Sequence, residues 1–312
     1  MTERKIPLLC ITGPTASGKS ALAVRLAQLL GGEVVSCDSM QIYRGMDIGT
    51  AKPTEAEMCG VPHHMIDIVA PSEDYSCGRY ADEAAKVIKD IASRGALPIV
   101  CGGTGLYLDS LITATEHADA PSDPAMREEL LARDAQSLHD ELSEIDAESA
   151  AAIHPNNKRR VARAIEIYRI TGRTKSEWDR RSHDTPSPYD ASVVALGYLD
   201  RELLYRRIRM RVDEMFDRGL CDEVCSLDLD PDSTAAAAIG YKEVGMYLRG
   251  ECTEEQAREA VKLATTRYAK RQLSWLRGRS YVKWAMICGD PEQDKKMLDK
   301  IVNISLILSE RR

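Results

Sequence analysis

The eight residues Gly13-Pro14-Thr15-Ala16-Ser17-Gly18-Lys19-Ser20 restrict what this chain can fold into because of what flanks them. An apolar run of strand length, residues 6–12, precedes them, and residues 20–30 carry helical periodicity closed by Gly31-Gly32. A glycine-rich turn of the form G-x-x-x-x-G-K-[ST] between a strand and a helix makes backbone N–H groups converge at a helix N-terminus, which is an anion cradle. Lys19 adds a point charge, and the Ser20 hydroxyl is of the type that ligates Mg2+. Such glycines can also mark a turn that binds nothing, but Lys19 and Ser20 in register favour phosphate.

The alternation continues as a parallel sheet with helical crossovers requires. Residues 33–37 (EVVSC) read as a second strand with Asp38 at its carboxyl end. A helix over about 79–94 is stopped by Gly95, and LPIVCGGTG reads as a strand that breaks at Gly102-Gly103. Open α/β sheets collect ligands at the carboxyl ends of strands, so residues 13–20, Asp38 and Thr104 are expected to face one crevice. From about residue 115 the character changes. Residues 120–152 are helical and acidic, PNNKRRVARAIEIYRITG is a helix with a basic face, and RRSHDTPSPYDAS is a polar linker. VVALGYLD then returns to a strand, followed by helical stretches at 205–216 and 254–276. The expected architecture is α/β, a P-loop NTPase-like core with a parallel sheet and flanking helices. Residues 1–115 and 191–312 form that core, interrupted by a helical insertion domain at 116–190. A chain of 312 residues has the length for about two domains, or for one domain with a large insertion.

Composition excludes several classes. No apolar run approaches the roughly 18–20 residues of a membrane span, and glycine and proline interrupt the apolar start too early for a signal segment. Nine cysteines, an odd number without a CxxC pair, disfavour a disulfide framework or zinc cluster and suit a reducing cytoplasm. The net charge of −7 argues against nucleic acid until its distribution is considered. Residues 158–181 hold nine Lys/Arg against three acids, and residues 261–284 hold seven against none, so the remainder is strongly acidic. Local basic segments on an acidic protein suit a polyanion site, although a solvated helix face is the commoner meaning of any one run.

Several residues are candidates for chemistry. A strand of apolar residues ending in Asp, as ATP hydrolysis usually requires, is missing: LPIVCGG ends in glycine, and MIDIV holds Asp67 in its middle. The diphosphate is therefore a candidate leaving group. Asp38 is the best candidate general base, with a turn-capping role equally compatible with its setting. Thr104 is placed to hydrogen-bond a leaving-group oxygen. His63-His64 reads as structural, because adjacent side chains diverge. Arg207 and Arg211, spaced i,i+4, are candidates for a diphosphate, though a surface position is the better expectation for at least one. Trp178, Trp275 and Trp284 read as core or rim, and with Phe216 the only phenylalanine no aromatic RNA-recognition sheet is present.

Together, GPTASGKS, DSMQIY, GTAKP, VPHHMID, GGTGLY, PNNKRRVARAIE, AIGYKEV and AKRQLSW occur in an order that closely resembles the bacterial tRNA dimethylallyltransferases, from residue 10 to about 284. The resemblance implies transfer of the dimethylallyl group of dimethylallyl diphosphate to the exocyclic N6 of adenosine 37, just 3′ of the anticodon, in tRNAs reading codons that begin with U. It implies that Gly13, Pro14, Thr15, Ala16, Ser17, Gly18, Lys19 and Ser20 hold the diphosphate, with Mg2+ on Ser20. Asp38 would take the amine proton, and Thr104 would bond the bridging oxygen. Arg207 or Arg211 would be a further diphosphate ligand. Asp38, Ser39, Met40, Gln41, Thr104, Arg127, Arg159, Arg160, Val161, Ala162 and Arg163 would contact the anticodon stem-loop. The expectation is a cytoplasmic monomer. The competing readings are a nucleotide or nucleoside kinase, a prenyltransferase acting on free AMP or ADP, and a non-enzymatic tRNA-binding module switched by nucleotide.

Overall fold

The computed structural model describes residues 5–113, 122–184, 186–290, 292–297, 299, 301 and 302; the expected opening of the insertion, 116–121, lies outside them. In chain order the elements are β1 (Ile6–Thr12), α1 (Lys19–Leu30), β2 (Gly32–Ser36), α2 (Glu55–Met58), β3 (His63–His64), α3 (Cys77–Ser93), β4 (Leu97–Cys101) and α4 (Gly105–Ile112). Five helices follow: α5 (Pro124–Ala132), α6 (Ala135–Ile145), α7 (Ala147–Ala152), α8 (Lys158–Thr171) and α9 (Lys175–Asp184). The chain then runs through β5 (Tyr189–Tyr198), α10 (Arg201–Asp217), α11 (Leu220–Ser226), α12 (Tyr241–Leu248), α13 (Glu254–Arg277) and β6 (Val282–Ile287). These elements form two compact units. One comprises residues 1–75, 82–108 and 189–312, and the other residues 76–81 and 109–188.

The first unit is built on one parallel sheet of order β3-β2-β4-β1-β5-β6. A parallel sheet covered on both faces needs continuous apolar strands. Leu8, Leu9, Cys10 and Ile11 of β1 and all five residues of β4 are accordingly buried. The pairings Ile11↔Cys101 and Ser36↔Cys101 bring the ends of β1, β2 and β4 level, so the segments after them emerge on one edge. Gly18 caps α1 in the left-handed region (φ 88°), and Gly31 closes that helix with its N–H on the Ala27 carbonyl. Two strands differ from expectation. β5 begins at Tyr189, inside the polar stretch read as linker. β6 was not anticipated: only Ala285 is buried and its other side chains are partly buried or exposed, as at a sheet edge.

The second unit is helical, with a core of Leu130, Leu138, Leu142, Val161, Ala162 and Ile165. The acidic character of its first half has a local cause. Asp123, Asp134 and Asp146 each accept backbone N–H groups at the starts of α5, α6 and α7. No described helix is long and apolar enough to cross a membrane.

Candidate active site

The cradle Gly13–Ser20 sits at the carboxyl end of β1. Gly13 has φ 144°, and a Cβ there would stand 2.8 Å from the Leu196 carbonyl of β5, so only glycine lets the loop leave the sheet at this angle. Side chains of α10 and α13 hold the loop from outside. Arg207 Nε donates to the Ala16 carbonyl at 2.8 Å, Arg211 Nη1 reaches Thr15 Oγ1 at 3.4 Å, and Tyr198 donates to the Ser17 carbonyl at 3.4 Å. Both arginines therefore reach the cradle, and Arg207 does so as the exposed surface residue that at least one of them was expected to be. Arg207 is the more exposed, and Arg211 is half-buried. The Ser17 hydroxyl is buried without a hydrogen-bond partner among the described residues, a donor left free inside the loop.

The electrostatics of Lys19 and Arg211 are linked. Burial pushes the Lys19 ammonium below its usual pKa; Cys101 opposes that shift, Arg211 adds to it, and Asp38 again opposes it. Burial also lowers Arg211, with Asp38 the first group opposing the shift. Two cations and one carboxylate thus share a poorly solvated pocket that gains from an added anion. Below them the Cys101 thiol is pushed up to about 11 by burial, in spite of Lys19 and a hydrogen bond with Ser20. This thiol is therefore protonated and packs as a small apolar group.

Asp38 follows β2 and fills the turn-capping role expected of it. Its Oδ1 accepts the Met40 N–H at 3.0 Å, which closes the turn, and Oδ2 has no hydrogen-bond partner among the described residues. The Ser39 N–H donates to Thr104 Oγ1 at 3.0 Å, and the Thr104 N–H donates to the Cys37 carbonyl. The backbone next to Asp38 is thereby tied to the Thr104 hydroxyl across 65 residues of sequence. The glycines at which β4 breaks, just before Thr104, have no room for a side chain. A Cβ at Gly102 would come 2.0 Å from the Cys37 carbonyl oxygen, and one at Gly103 would come 2.2 Å from Gln272 Nε2. Close packing requires both.

Other motifs scaffold this region. Ser36 and the Gln41 amide link β2 to the carbonyls of Thr50 and Ala51. The Glu223 carboxylate accepts the N–H groups of Asp47, Ile48 and Gly49 and the Tyr241 hydroxyl. A Cβ on Gly49 would stand 2.5 Å from the Tyr241 ring. GTAKP and AIGYKEV therefore act together. Lys52 is 8% exposed and bonds Asp47, Asp67 and the Tyr43 carbonyl. Asp67 is not inside a strand, as its sequence context suggested; it sits in a left-handed bend (φ 56°) and pairs with Lys52. His64 Nε2 meets Glu33 at 2.7 Å, and His63 Nδ1 meets the Val61 carbonyl at 2.8 Å, so each has a local partner.

Sequence reasoning passed over two residues of α13. Tyr268 faces Thr104, and burial and the nearby Asp38 push its phenol above the usual range. Gln272 bonds both the cradle and the Gly103 carbonyl. Their i,i+4 spacing within AKRQLSW and the residues before it was the available signal.

In the helical unit the expected RNA contacts divide by exposure. Arg159 and Arg160 are exposed and carry no ion pair among the described residues. Val161 and Ala162 are 0% exposed, so their side chains belong to the core and are withdrawn from any RNA. Arg127 and Arg163 both bond Glu166, itself 0% exposed. Arg169 pairs with Glu141 and Lys175 with Asp179, so part of this basic run is internally neutralised.

A phosphate loop at the carboxyl edge of a parallel sheet, beside a strand-end aspartate and held by two arginines, defines a P-loop protein whose cradle is built for an anionic phosphate group. Comparison narrows the class. The IPP transferase profile matches residues 41–279, and the isopentenyl transferase profile matches residues 6–70. The tRNA dimethylallyltransferase of Halalkalibacterium halodurans is 48% identical over 302 residues, 95% of each chain. That of Geobacter sulfurreducens is 46% identical over 286 residues, 90% of this chain and 92% of its own. The crystal structure of the full-length tRNA isopentenylpyrophosphate transferase from Bacillus halodurans superposes with a TM-score of 0.73 at 45% identity, covering 98% of both chains. A eukaryotic dimethylallyltransferase, solved acting on tRNA, gives a TM-score of 0.85 at 30% identity over 98% of this chain and 80% of that one. The chain belongs to the IPP transferase family.

Proposed function

We propose that this protein transfers the dimethylallyl group of dimethylallyl diphosphate to the N6 amine of adenosine 37 in tRNAs reading codons that begin with U. The observation that carries the reading is the hydrogen-bonded pair of Asp38 and Thr104 loops beside a cradle lined by Lys19, Arg207 and Arg211. The amine nitrogen forms a bond to the allylic carbon, the carbon–oxygen bond breaks, and its electron pair leaves with the diphosphate. The amine proton passes to the free oxygen of Asp38. A positioned base contributes about 10²–10⁴ in rate to such a step. Cradle amides, Lys19 and Arg211 stabilise the charge that collects on the departing diphosphate, and the Thr104 hydroxyl is placed to bond its oxygen. The unpartnered Ser17 hydroxyl and the Ser20 hydroxyl at the helix start are hard oxygen donors that fit Mg2+ bound largely through phosphate oxygens and water. Ser20 would hold that ion, which supplies further charge neutralisation.

Adenosine 37 lies in a stacked loop and must be extruded at a cost of a few kcal/mol. Phosphate contacts from Arg159 and Arg160 offset part of that cost. The protein is read as a monomer working in the cytoplasm. The test combines purified protein, dimethylallyl diphosphate, Mg2+ and an unmodified anticodon stem-loop with adenosine at position 37, read by mass spectrometry beside an AMP control. One added prenyl group on the RNA alone supports the reading. ATP turnover without RNA, and no prenyl product, would replace it with a kinase.

A further inference from the structure

Gln272 is 6% exposed and joins two loops that are remote in sequence. Its Oε1 accepts the Thr15 N–H at 2.8 Å, inside the cradle, across 257 residues of chain. Its Nε2 donates to the Gly103 carbonyl at 2.9 Å, one residue before Thr104. The approach is close enough that a Cβ on Gly103 would overlap the amide nitrogen. Tyr268, one turn earlier on α13, faces the Thr104 side chain itself. The same helix face therefore touches the loop that would hold the diphosphate and the loop that would meet its leaving oxygen.

We infer that Gln272 is a positioning residue that sets the distance between the diphosphate cradle and Thr104, with Tyr268 fixing the Thr104 rotamer. The inference rests on the transfer reaction proposed above. The carboxamide offers one acceptor and one donor from the same rigid plane. A carboxylate would oppose the Gly103 carbonyl, and an apolar side chain of the same length would leave both the Thr15 N–H and the Gly103 carbonyl without a partner. Gln272 touches neither substrate in this scheme; it acts through the two loops.

The test is single-turnover prenyl transfer to the stem-loop by wild type, Gln272→Met, Gly103→Ala, the double variant and Tyr268→Phe. Wild-type product is measured first, and its absence refutes the transfer reading rather than this inference. Given product, Gln272→Met is expected to slow the step about 10- to 100-fold at saturating dimethylallyl diphosphate, because small misplacements of reacting groups carry losses of that order. Stem-loop affinity stays within about twofold. Gly103→Ala, which displaces the amide without changing charge, gives the same signature, and in the double variant the two losses fail to multiply. Tyr268→Phe lowers the rate without changing the KM for the diphosphate. Should Gln272→Met not fold, Gly103→Ala and Tyr268→Phe carry the same expectation. A lowered Tm with an undiminished rate per folded molecule, or losses in the double variant that multiply, would overturn the inference.

Discussion

Arg127 separates a structural role from an RNA-binding one, and the perturbation is Arg127→Met. The resemblance assigns Arg127 to tRNA contact, whereas its guanidinium sits on Glu166 with Nη2 3.1 Å from Oε1 and 2.9 Å from Oε2, and Nε 3.2 Å from Oε2. Glu166 has no solvent exposure. Its other partners are Arg163 at 2.8 Å and the Asp123 N–H at 2.8 Å. Burial pushes the Glu166 carboxyl up, but Arg163, the Asp123 N–H and Arg127 outweigh it and hold the pKa below its usual value. Removing the partner of a buried charge costs about 3–5 kcal/mol. Arg163 and the Asp123 amide remain, and Arg127 is 38% exposed and partly screened, so about 2 kcal/mol is expected. Native-state hydrogen exchange of α8 amides reads that loss directly. Because the folded pKa is depressed, this stabilisation is present above about pH 4.5 and fades as pH falls below it, and the wild-type and variant values should converge there. In parallel, the salt dependence of tRNA binding should keep its slope. Unchanged α8 protection together with a slope reduced by about one phosphate contact, or 0.9, would refute the reasoning and return Arg127 to the RNA.

Four further outcomes are expected. Asp38→Asn keeps the Met40 contact but removes the base, so prenyl transfer should fall by about 10²–10⁴ with stem-loop affinity preserved; a rate within about threefold of wild type would sink the assignment. Arg160→Glu should weaken tRNA and flatten its salt dependence by about one contact or more while dimethylallyl diphosphate affinity stays put, as titration at several salt concentrations would show. Arg211→Gln should raise the Kd for the diphosphate by about tenfold and Arg207→Gln by less, because Arg211 shares its pocket with Lys19 and Asp38; calorimetry distinguishes the two. Glu33 is drawn down to about 2 by Arg94 and His64, against the effect of burial. Its contribution is complete above about pH 4.5 and is lost as pH falls toward 2. The urea stability difference between wild type and Arg94→Met should therefore shrink between pH 6 and pH 3.

The sequence carried the parts of the fold whose causes are local. The apolar run of β1, the glycine turn and the periodicity of α1 lie within 25 residues of one another and specify one another. β6 lacked such a signal, because an edge strand bearing Lys283 and an exposed Met286 reads like its basic surroundings. The site divides in the same way. Asp38 and Thr104 were visible as polar residues at strand ends, whereas Tyr268 and Gln272 matter through contacts more than 160 residues away. A charge run also shows its sum and not its pairing. Arg159 and Arg163 are equivalent in sequence, yet the first is exposed and unpaired among the described residues while the second is bound to a buried glutamate.

The position of the missing strand-end acid explains why a phosphate loop of this type suits alkyl transfer better than hydrolysis. In an ATP-hydrolysing relative, the strand beside the cradle would end in an aspartate that holds the metal. Here β4 ends at Cys101 and passes into Gly102, where any side chain would strike the Cys37 carbonyl within 2.0 Å. That contact is the same approach that brings Asp38 and Ser39 up to Thr104, through the Thr104 N–H on the Cys37 carbonyl and the Ser39 N–H on Thr104. A side chain at position 102 and this close approach of the Asp38 and Thr104 loops exclude each other sterically. In the proposed transfer this pair supplies both groups the step needs, a carboxylate to receive the proton of the entering nucleophile and a hydroxyl for the departing diphosphate.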